Sequence, residues 1–235
     1  MYPQAGVNDS LRGATGLAVS GLAGAILFTA TWIVAGLTDP AFRFANNDTS
    51  DLGALTATHP LPYNIGVSLS GLLTIGLAVT LVPAFGRGRA VIADAILVAL
   101  FGAGQFIDGL AREDCPVSVS AVCRAAEKAG RVSTHHKIHN AESLVTFSAL
   151  LLAPLVLGLA LRTNARWRRL AHWSIGASVV QIVCLPIFLR MYNEGTNGQG
   201  LVEIIELVAG VTWIATVSIA CIRLASQGLR PTGAT

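Results

Sequence analysis

His139 and Glu142 stand three residues apart at the start of an apolar run, and His135 stands four before His139. Spacings of three and four bring side chains onto one face of a helix. His-x-x-x-His is a two-ligand unit for zinc in that setting. The stretch Thr134-His135-His136-Lys137-Ile138-His139-Asn140-Ala141-Glu142 lacks the glutamate that HExxH carries between its histidines. Metal binding through His135, His139 and Asp108 is therefore one reading. His139 working with a carboxylate as an acid–base pair, without an ion, is another. Carboxylates occur in comparable places elsewhere. Asp108 closes the run Gly104-Gln105-Phe106-Ile107-Asp108-Gly109, Glu203 and Glu206 open Gly200-Leu201-Val202-Glu203-Ile204-Ile205-Glu206, and Asp51 lies in Ser50-Asp51-Leu52-Gly53. Asp51, Asp108, His139, Glu142 and Glu206 form the candidate catalytic set. Ser50, Asn64, Gln105, Asn140 and Glu203 form the candidate substrate-binding set.

Each of these has a plainer reading. Asp51 suits a turn or a helix cap, since Asp and Ser bond nearby backbone amides. Asp108 would be an interfacial carboxylate reaching water. Glu203 in a first turn complements the helix dipole. His135 and His136 would be a solvated basic helix start. Glu206 lies a turn deeper in an apolar run, where that reading is harder to apply.

The elements that must hold these residues are apolar and long. Segments at about 15–37, 62–85, 90–111, 138–161, 170–191 and 201–223 each have the length a helix needs to cross a hydrocarbon core of roughly 30 Å. Charged residues make up 12% of the chain and hydrophobic residues 53%, with a mean hydropathy of +0.62; a soluble domain carries about 25% charged residues. Irregular backbone cannot face lipid. The expected fold is all-α, a polytopic bundle of six transmembrane helices forming a single domain over 1–235. The first segment is too long for a cleaved signal core and is read as a retained helix. Glycines within the segments, Gly71 and Gly102 among them, suit close helix approach.

Charge inside a bilayer is costly, and a cluster of it marks a functional region. All the candidate acids fall toward one face, and Asp94 is the exception, expected to pair with Arg87 or Arg89. Arg162, Arg166, Arg168 and Arg169 crowd one short loop, and with Arg12, Arg87, Arg89, Arg223 and Arg230 they mark the other face as cytoplasmic. Both termini then face the cytoplasm and the candidate site faces outward. Cys115 and Cys123 would lie outside, where oxidising conditions favour a disulfide. Cys184 and Cys221 read as packing residues, Trp167 and Trp173 as interfacial anchors, and Gln181 as the donor or acceptor of an interhelical hydrogen bond. The 42–64 loop has no obvious element of its own, and loops of that length are often functional.

Ser50-Asp51-Leu52-Gly53 after the first helix, Asn64 starting the second, Asp108 closing the third and His139-Asn140 opening the fourth resemble a bacterial and archaeal family of six-helix membrane proteins, domain of unknown function 998. The resemblance spans nearly the whole chain. Such proteins often have Pro before the third-helix Asp, where this chain has Ile107. The Ser-Asp-Leu-Gly loop is also similar to that of the Frag1/DRAM/Sfk1 membrane proteins, some of which are linked to lipid remodelling or lipid distribution. The resemblance implies the fold more than an activity. The Cys pair and the Glu203 and Glu206 carboxylates are not carried over from it.

Three functions stay open on the sequence. One is an intramembrane enzyme doing acid–base chemistry on a lipid-like or isoprenoid substrate. Another is a non-catalytic lipid-binding, lipid-distribution or sensor protein. The third is a proton-coupled carrier, though no internal duplication of three helices is visible. The implied partner is a membrane lipid or hydrophobic small molecule, and no basic face suits nucleic acid. No nucleotide-binding turn or GxSxG elbow is present. The sequence requires no cofactor and leaves a divalent metal open. The expected location is a bacterial cytoplasmic membrane.

Overall fold

The computed structural model describes the backbone of residues 4–228 and the side chains of residues 15–227. The side chain of Arg12, and Arg230 entirely, lie outside the described residues. Six long helices account for most of the chain: α1 Gln4–Thr38, α2 Pro60–Phe85, α3 Arg89–Asp108, α5 Thr134–Leu161, α6 Arg168–Glu194 and α7 Gln199–Gly228. A short α4, Ala121–Lys128, lies between α3 and α5. Six stretches are long and apolar enough to cross a membrane, from Thr15–Thr38 to Gln199–Gln227. A helix satisfies its own backbone polar groups, so such a sequence has no cheaper form in hydrocarbon. The chain is a multi-pass membrane protein.

Each long helix packs on the next, and α7 returns to α1, so the six close into a ring. Consecutive spans alternate in direction. The links 86–88 and 162–167 are short and lie on one face. The 39–59 and 109–133 links lie on the opposite face, together with 195–198. There they bind one another: Leu55 N–H donates to the carbonyl of Glu113 (2.9 Å), and Leu201 N–H donates to that of Ala45 (3.2 Å).

Close approach of α2 and α3 depends on Gly71 and Gly102. A Cβ at Gly102 would lie 2.7 Å from the Gly71 carbonyl oxygen and 3.0 Å from the Ile75 nitrogen. This is the small-residue packing that membrane helices use in place of a hydrophobic drive. Leu77, Leu81, Val98, Leu150, Leu157, Trp213 and Ile214 fill the centre. The Trp213 indole N–H donates to the Ser174 hydroxyl at 2.9 Å, while Ile26, Leu37, Val79 and Val183 stand on the exposed outer surface.

Several expectations shift in the structure. Helix α3 stops at Asp108, where Gly109 begins a turn, so 109–111 are not helical. The α5, α6 and α7 helices begin earlier than the apolar runs suggest, because their polar first turns are helical too. The 42–64 loop contains a 3-10 turn, Thr49–Gly53. Gln181 makes its hydrogen bond within its own helix, to the Ala177 carbonyl at 3.4 Å, and not across to a neighbour. Asp94 is fully buried, and neither of its oxygens has a partner, so it pairs with neither Arg87 nor Arg89. Both arginines are exposed and stay in the aqueous boundary, where a guanidinium is well solvated. Trp167 packs edge-on against Phe85 with ring centres 5.1 Å apart, and Arg166 lies over its ring. Cys184 and Cys221 are free and buried.

Candidate functional site

The Thr49–Gly53 turn is fixed from three sides before any cavity is formed. Glu203 of α7 accepts from the Thr49 backbone N–H (2.7 Å) and from its hydroxyl (3.0 Å). Asn64 of α2 donates to the Gly53 carbonyl at 3.1 Å. Asp51 accepts from Asn47 at 2.8 Å and from the Ser118 hydroxyl, which ties the first loop to the 109–133 link. Gly53 is required at its place because a Cβ would run into the Asn64 side chain and the Tyr63 ring. Burial, and next the Glu113 carboxylate, push Asp51 up to about 7, against the bonds from Ser118 and Asn47 that favour its charge. Asp48 is raised well above the ordinary carboxyl range by burial, then by the charges of Glu203 and Asp51. It accepts from Gln199 at 2.8 Å.

His139 lies at the centre of the acidic groups. Its Nδ1 is 3.0 Å from Asp108 Oδ1 and 3.8 Å from Glu142 Oε1, and its Nε2 is 3.3 Å from Glu113 Oε1. The Nδ1–Asp108 approach is close but lacks the direction of an aligned hydrogen bond. Glu142 is oriented by Thr146 at 2.8 Å and Ser143 at 3.1 Å. Asp108, His139 and Glu142 each offer a ligand atom, and these atoms lie within 4.8 Å of one another.

A second polar group adjoins it. Glu127 of α4 accepts from the Tyr192 hydroxyl at 2.8 and 2.9 Å and from Asn140, with the His136 ring 3.8 Å away. Burial alone would raise the Glu127 carboxyl; the interactions with His136, Tyr192 and Asn140 overcome this and hold it below its ordinary value. The Nδ1 of His136 accepts from the Asp114 backbone N–H at 3.1 Å, and Asp114 in turn accepts from the Ser133 N–H at 2.7 Å. Cys115 and Cys123 are joined in a disulfide that anchors α4 beside this group.

Two cavities meet at His139. The smaller, about 60 Å³, is lined by Asp108, His139, Glu142, Gln105, Ser50, Glu203 and Tyr63 among others. The larger, about 270 Å³, has Asp48, Glu113, Glu127, His139 and Asn140 at one end and Leu144, Phe147, Leu185, Phe188 and Leu189 at the other. Its apolar end lies between α5 and α6.

The family model described as "Protein of unknown function (DUF998)" matches residues 22–220. The chain belongs to the DUF998 family. The matched stretch contains every residue of the two cavities. No curated protein and no solved structure matches the chain, so no match carries the likeness to Frag1/DRAM/Sfk1.

In this DUF998 chain the candidate residues separate. Asp108, His139, Glu142, Ser50, Gln105 and Glu203 share the small cavity, and Asn140 lines the large one. Asp51 and Asn64 line neither and bind the loop instead. Glu206 is fully buried with both oxygens unpartnered and lines neither cavity. His135 is exposed and stands outside the convergent group, while its neighbour His136 turns inward. Sequence reasoning missed Glu113, Glu127, Tyr192, Asp48 and the inward role of His136. Glu113 and Glu127 sit in a link with no periodic pattern to say which side chains turn in. The three histidines within Thr134–His139 were the available signal for His136.

Proposed function

We propose that this protein is an intramembrane enzyme performing acid–base chemistry on the polar head of an amphiphile, with the apolar tail held between α5 and α6. The observation that carries the reading is the larger cavity, whose volume is about 270 Å³ and whose carboxylate-and-imidazole end passes directly into a wall of Leu and Phe. Ligand sites are largely apolar with a few convergent polar groups. A lipid-like molecule is the class that would satisfy both ends at once. His139, set between Asp108, Glu113 and Glu142, is the group suited to accept and return a proton. Tyr192 and Asn140, held on Glu127, border the same space and would orient the head.

The site would face outward in a bacterial cytoplasmic membrane. That orientation is supported by the Arg-rich 162–169 link on the opposite face and by the Cys115–Cys123 disulfide on the site's own face. The test compares lipid and metabolite extracts by mass spectrometry. The strains are a deletion, the deletion restored with the native gene, and the deletion restored with Asp108→Asn plus His139→Ala at equal protein level. An amphiphile that accumulates in both defective strains while its product disappears supports catalysis and names the substrate. Unchanged extracts would overturn the enzymatic reading in favour of lipid binding without conversion.

A further inference from the structure

We infer that Asp108, His139 and Glu142 form a binding site for one divalent transition-metal ion such as zinc, with Glu113 fixing the imidazole from behind. The inference uses the pocket of the acid–base reading and deepens it by supplying a Lewis acid at the point where the head group would lie.

His139 is about 95% buried, its relative exposure being 5%, and its Nδ1 has no aligned hydrogen-bond partner although two carboxylates face it. A neutral imidazole with Nε2–H pointing to Glu113 would turn the lone pair of Nδ1 toward Asp108 and Glu142. Lone pair against carboxylate is repulsive; a proton on Nδ1 relieves the conflict with one carboxylate, and a metal ion in the same place would draw in both Asp108 and Glu142. The Nδ1–Asp108 and Nδ1–Glu142 separations, 3.0 and 3.8 Å, bracket the roughly 3.3 Å between ligand atoms around a tetrahedral zinc with bonds of about 2.0–2.1 Å.

The surroundings have the form such a site needs. Metal-bound histidine usually has its second nitrogen on a carboxylate, and Glu113 Oε1 lies 3.3 Å from Nε2. Glu142 is itself oriented by Thr146 and Ser143. The adjoining cavity of about 60 Å³ has room for water in the remaining coordination positions. The donor set of one imidazole and two carboxylates suits zinc or manganese and disfavours magnesium, which seeks oxygen alone. Three protein ligands with an open position is the arrangement of a catalytic rather than a structural zinc site. Relative to the pair His135 and His139 suggested by sequence spacing, Glu142 replaces the exposed His135.

The test measures ions with no substrate present. Full-length protein in detergent is stripped with a chelator and dialysed against micromolar zinc, and its metal content is read by mass spectrometry. A parallel sample takes cobalt(II) and is read by its visible absorption. The native chain is expected to hold one ion and to show a four- or five-coordinate cobalt spectrum. His139→Ala and the nearly isosteric Glu142→Gln should each reduce the content at least tenfold. Glu113→Gln should keep the site but weaken affinity by roughly 10–100-fold. An intact Cys115–Cys123 disulfide and unchanged elution volume identify the variants that remain folded. A native chain that binds no zinc or cobalt, or a folded Glu142→Gln chain that binds as much as native, overturns the inference. A native chain without an ion whose strain still converts its amphiphile would sink the metal and leave the acid–base reading standing. An ion bound with unchanged extracts would do the reverse.

Discussion

Glu203 in α7 holds Thr49 by both of its carboxylate oxygens, one on the backbone N–H at 2.7 Å and one on the side-chain hydroxyl at 3.0 Å. The two residues are 154 apart in sequence. Their bond fastens the loop after the first span to the start of the last, and both residues line the small cavity beside His139. The ring of helices is closed by α1 on α7, and this clamp fixes the loop across that seam.

Replacing Glu203 should therefore loosen the loop. Glu203→Ala removes both acceptor oxygens and leaves the buried Thr49 N–H without a partner. A buried donor left without its acceptor costs about 1–3 kcal/mol. The expected result is a lower melting temperature in detergent together with faster protease cutting between residues 42 and 59. Native-like melting and cutting would show that the clamp contributes nothing.

Loop docking should also depend on pH through Asp51. Its carboxyl is at about 7 in the folded chain, raised from an ordinary 3.8 by burial and by the neighbouring Glu113. An acid so raised binds its proton more tightly in the folded state. Its stabilising share is complete below about pH 3.8 and is lost as pH rises through about 7. Asp48, also raised, acts in the same direction, whereas Glu127, held low, contributes in the opposite direction at lower pH. Asn47 and Ser118 both donate to the same Asp51 oxygen, so Asp51→Asn can keep both bonds. Thermal unfolding from about pH 5 to 8 should lose part of its downward slope in that variant. An identical slope in both chains would assign the pH dependence to other groups.

The helices were legible because the bilayer imposes one rule on them: enough apolar residues in a row, with backbone bonds satisfied internally. That rule is local, and six spans follow from it. The convergence of Asp108 with His139 was legible in outline, since both lie at span ends on one face. The loop residues were not. Leu55 docks on the Glu113 backbone, Gln199 reaches Asp48, and Tyr192 and Asn140 reach Glu127; those are tertiary contacts with no periodic trace. Asp51 gave a motif, but a motif does not say whether its carboxylate faces a cavity or a loop, and here it faces a loop. Glu206 had the sequence position of a site residue, yet helix rotation places it away from both cavities.

The disulfide offers a stability prediction and a topological one. Cys115 and Cys123 are separated by 8 residues, and closing so short a loop contributes about 2–3 kcal/mol in the chain-entropy account. Cys115→Ser plus Cys123→Ser should lower the melting temperature and free α4, which carries Glu127. Glu127 would then lose Tyr192 and Asn140 as fixed partners. In the native chain, thiol alkylation should find no reactive Cys115 or Cys123 until a reductant is added, while Cys184 and Cys221 stay protected by burial until the protein is denatured. Intact cells treated with a reductant and an impermeant alkylating reagent should label the pair if this face is outward. Labelling that requires lysis would place the site on the cytoplasmic side.

Occupancy of the larger cavity can be tested without knowing the substrate. Leu185 lines its apolar end between α5 and α6 and is only partly buried. Overpacking a filled core costs about 1–3 kcal/mol, but Leu185→Trp projects into space and should leave melting nearly unchanged. The indole would occupy volume that a lipid tail otherwise fills. Losing contact for about two methylenes, at about 0.8 kcal/mol each, weakens binding by roughly tenfold. Amphiphile that co-purifies with the native chain should therefore fall by about that factor in the variant, and a Val183→Trp control, on the exposed outer surface of the same helix and outside the cavity, should change it far less. Equal lipid content in native and Leu185→Trp protein, with both well folded, would show that no tail enters between α5 and α6, and the polar groups around His139 would then need a ligand that approaches from water.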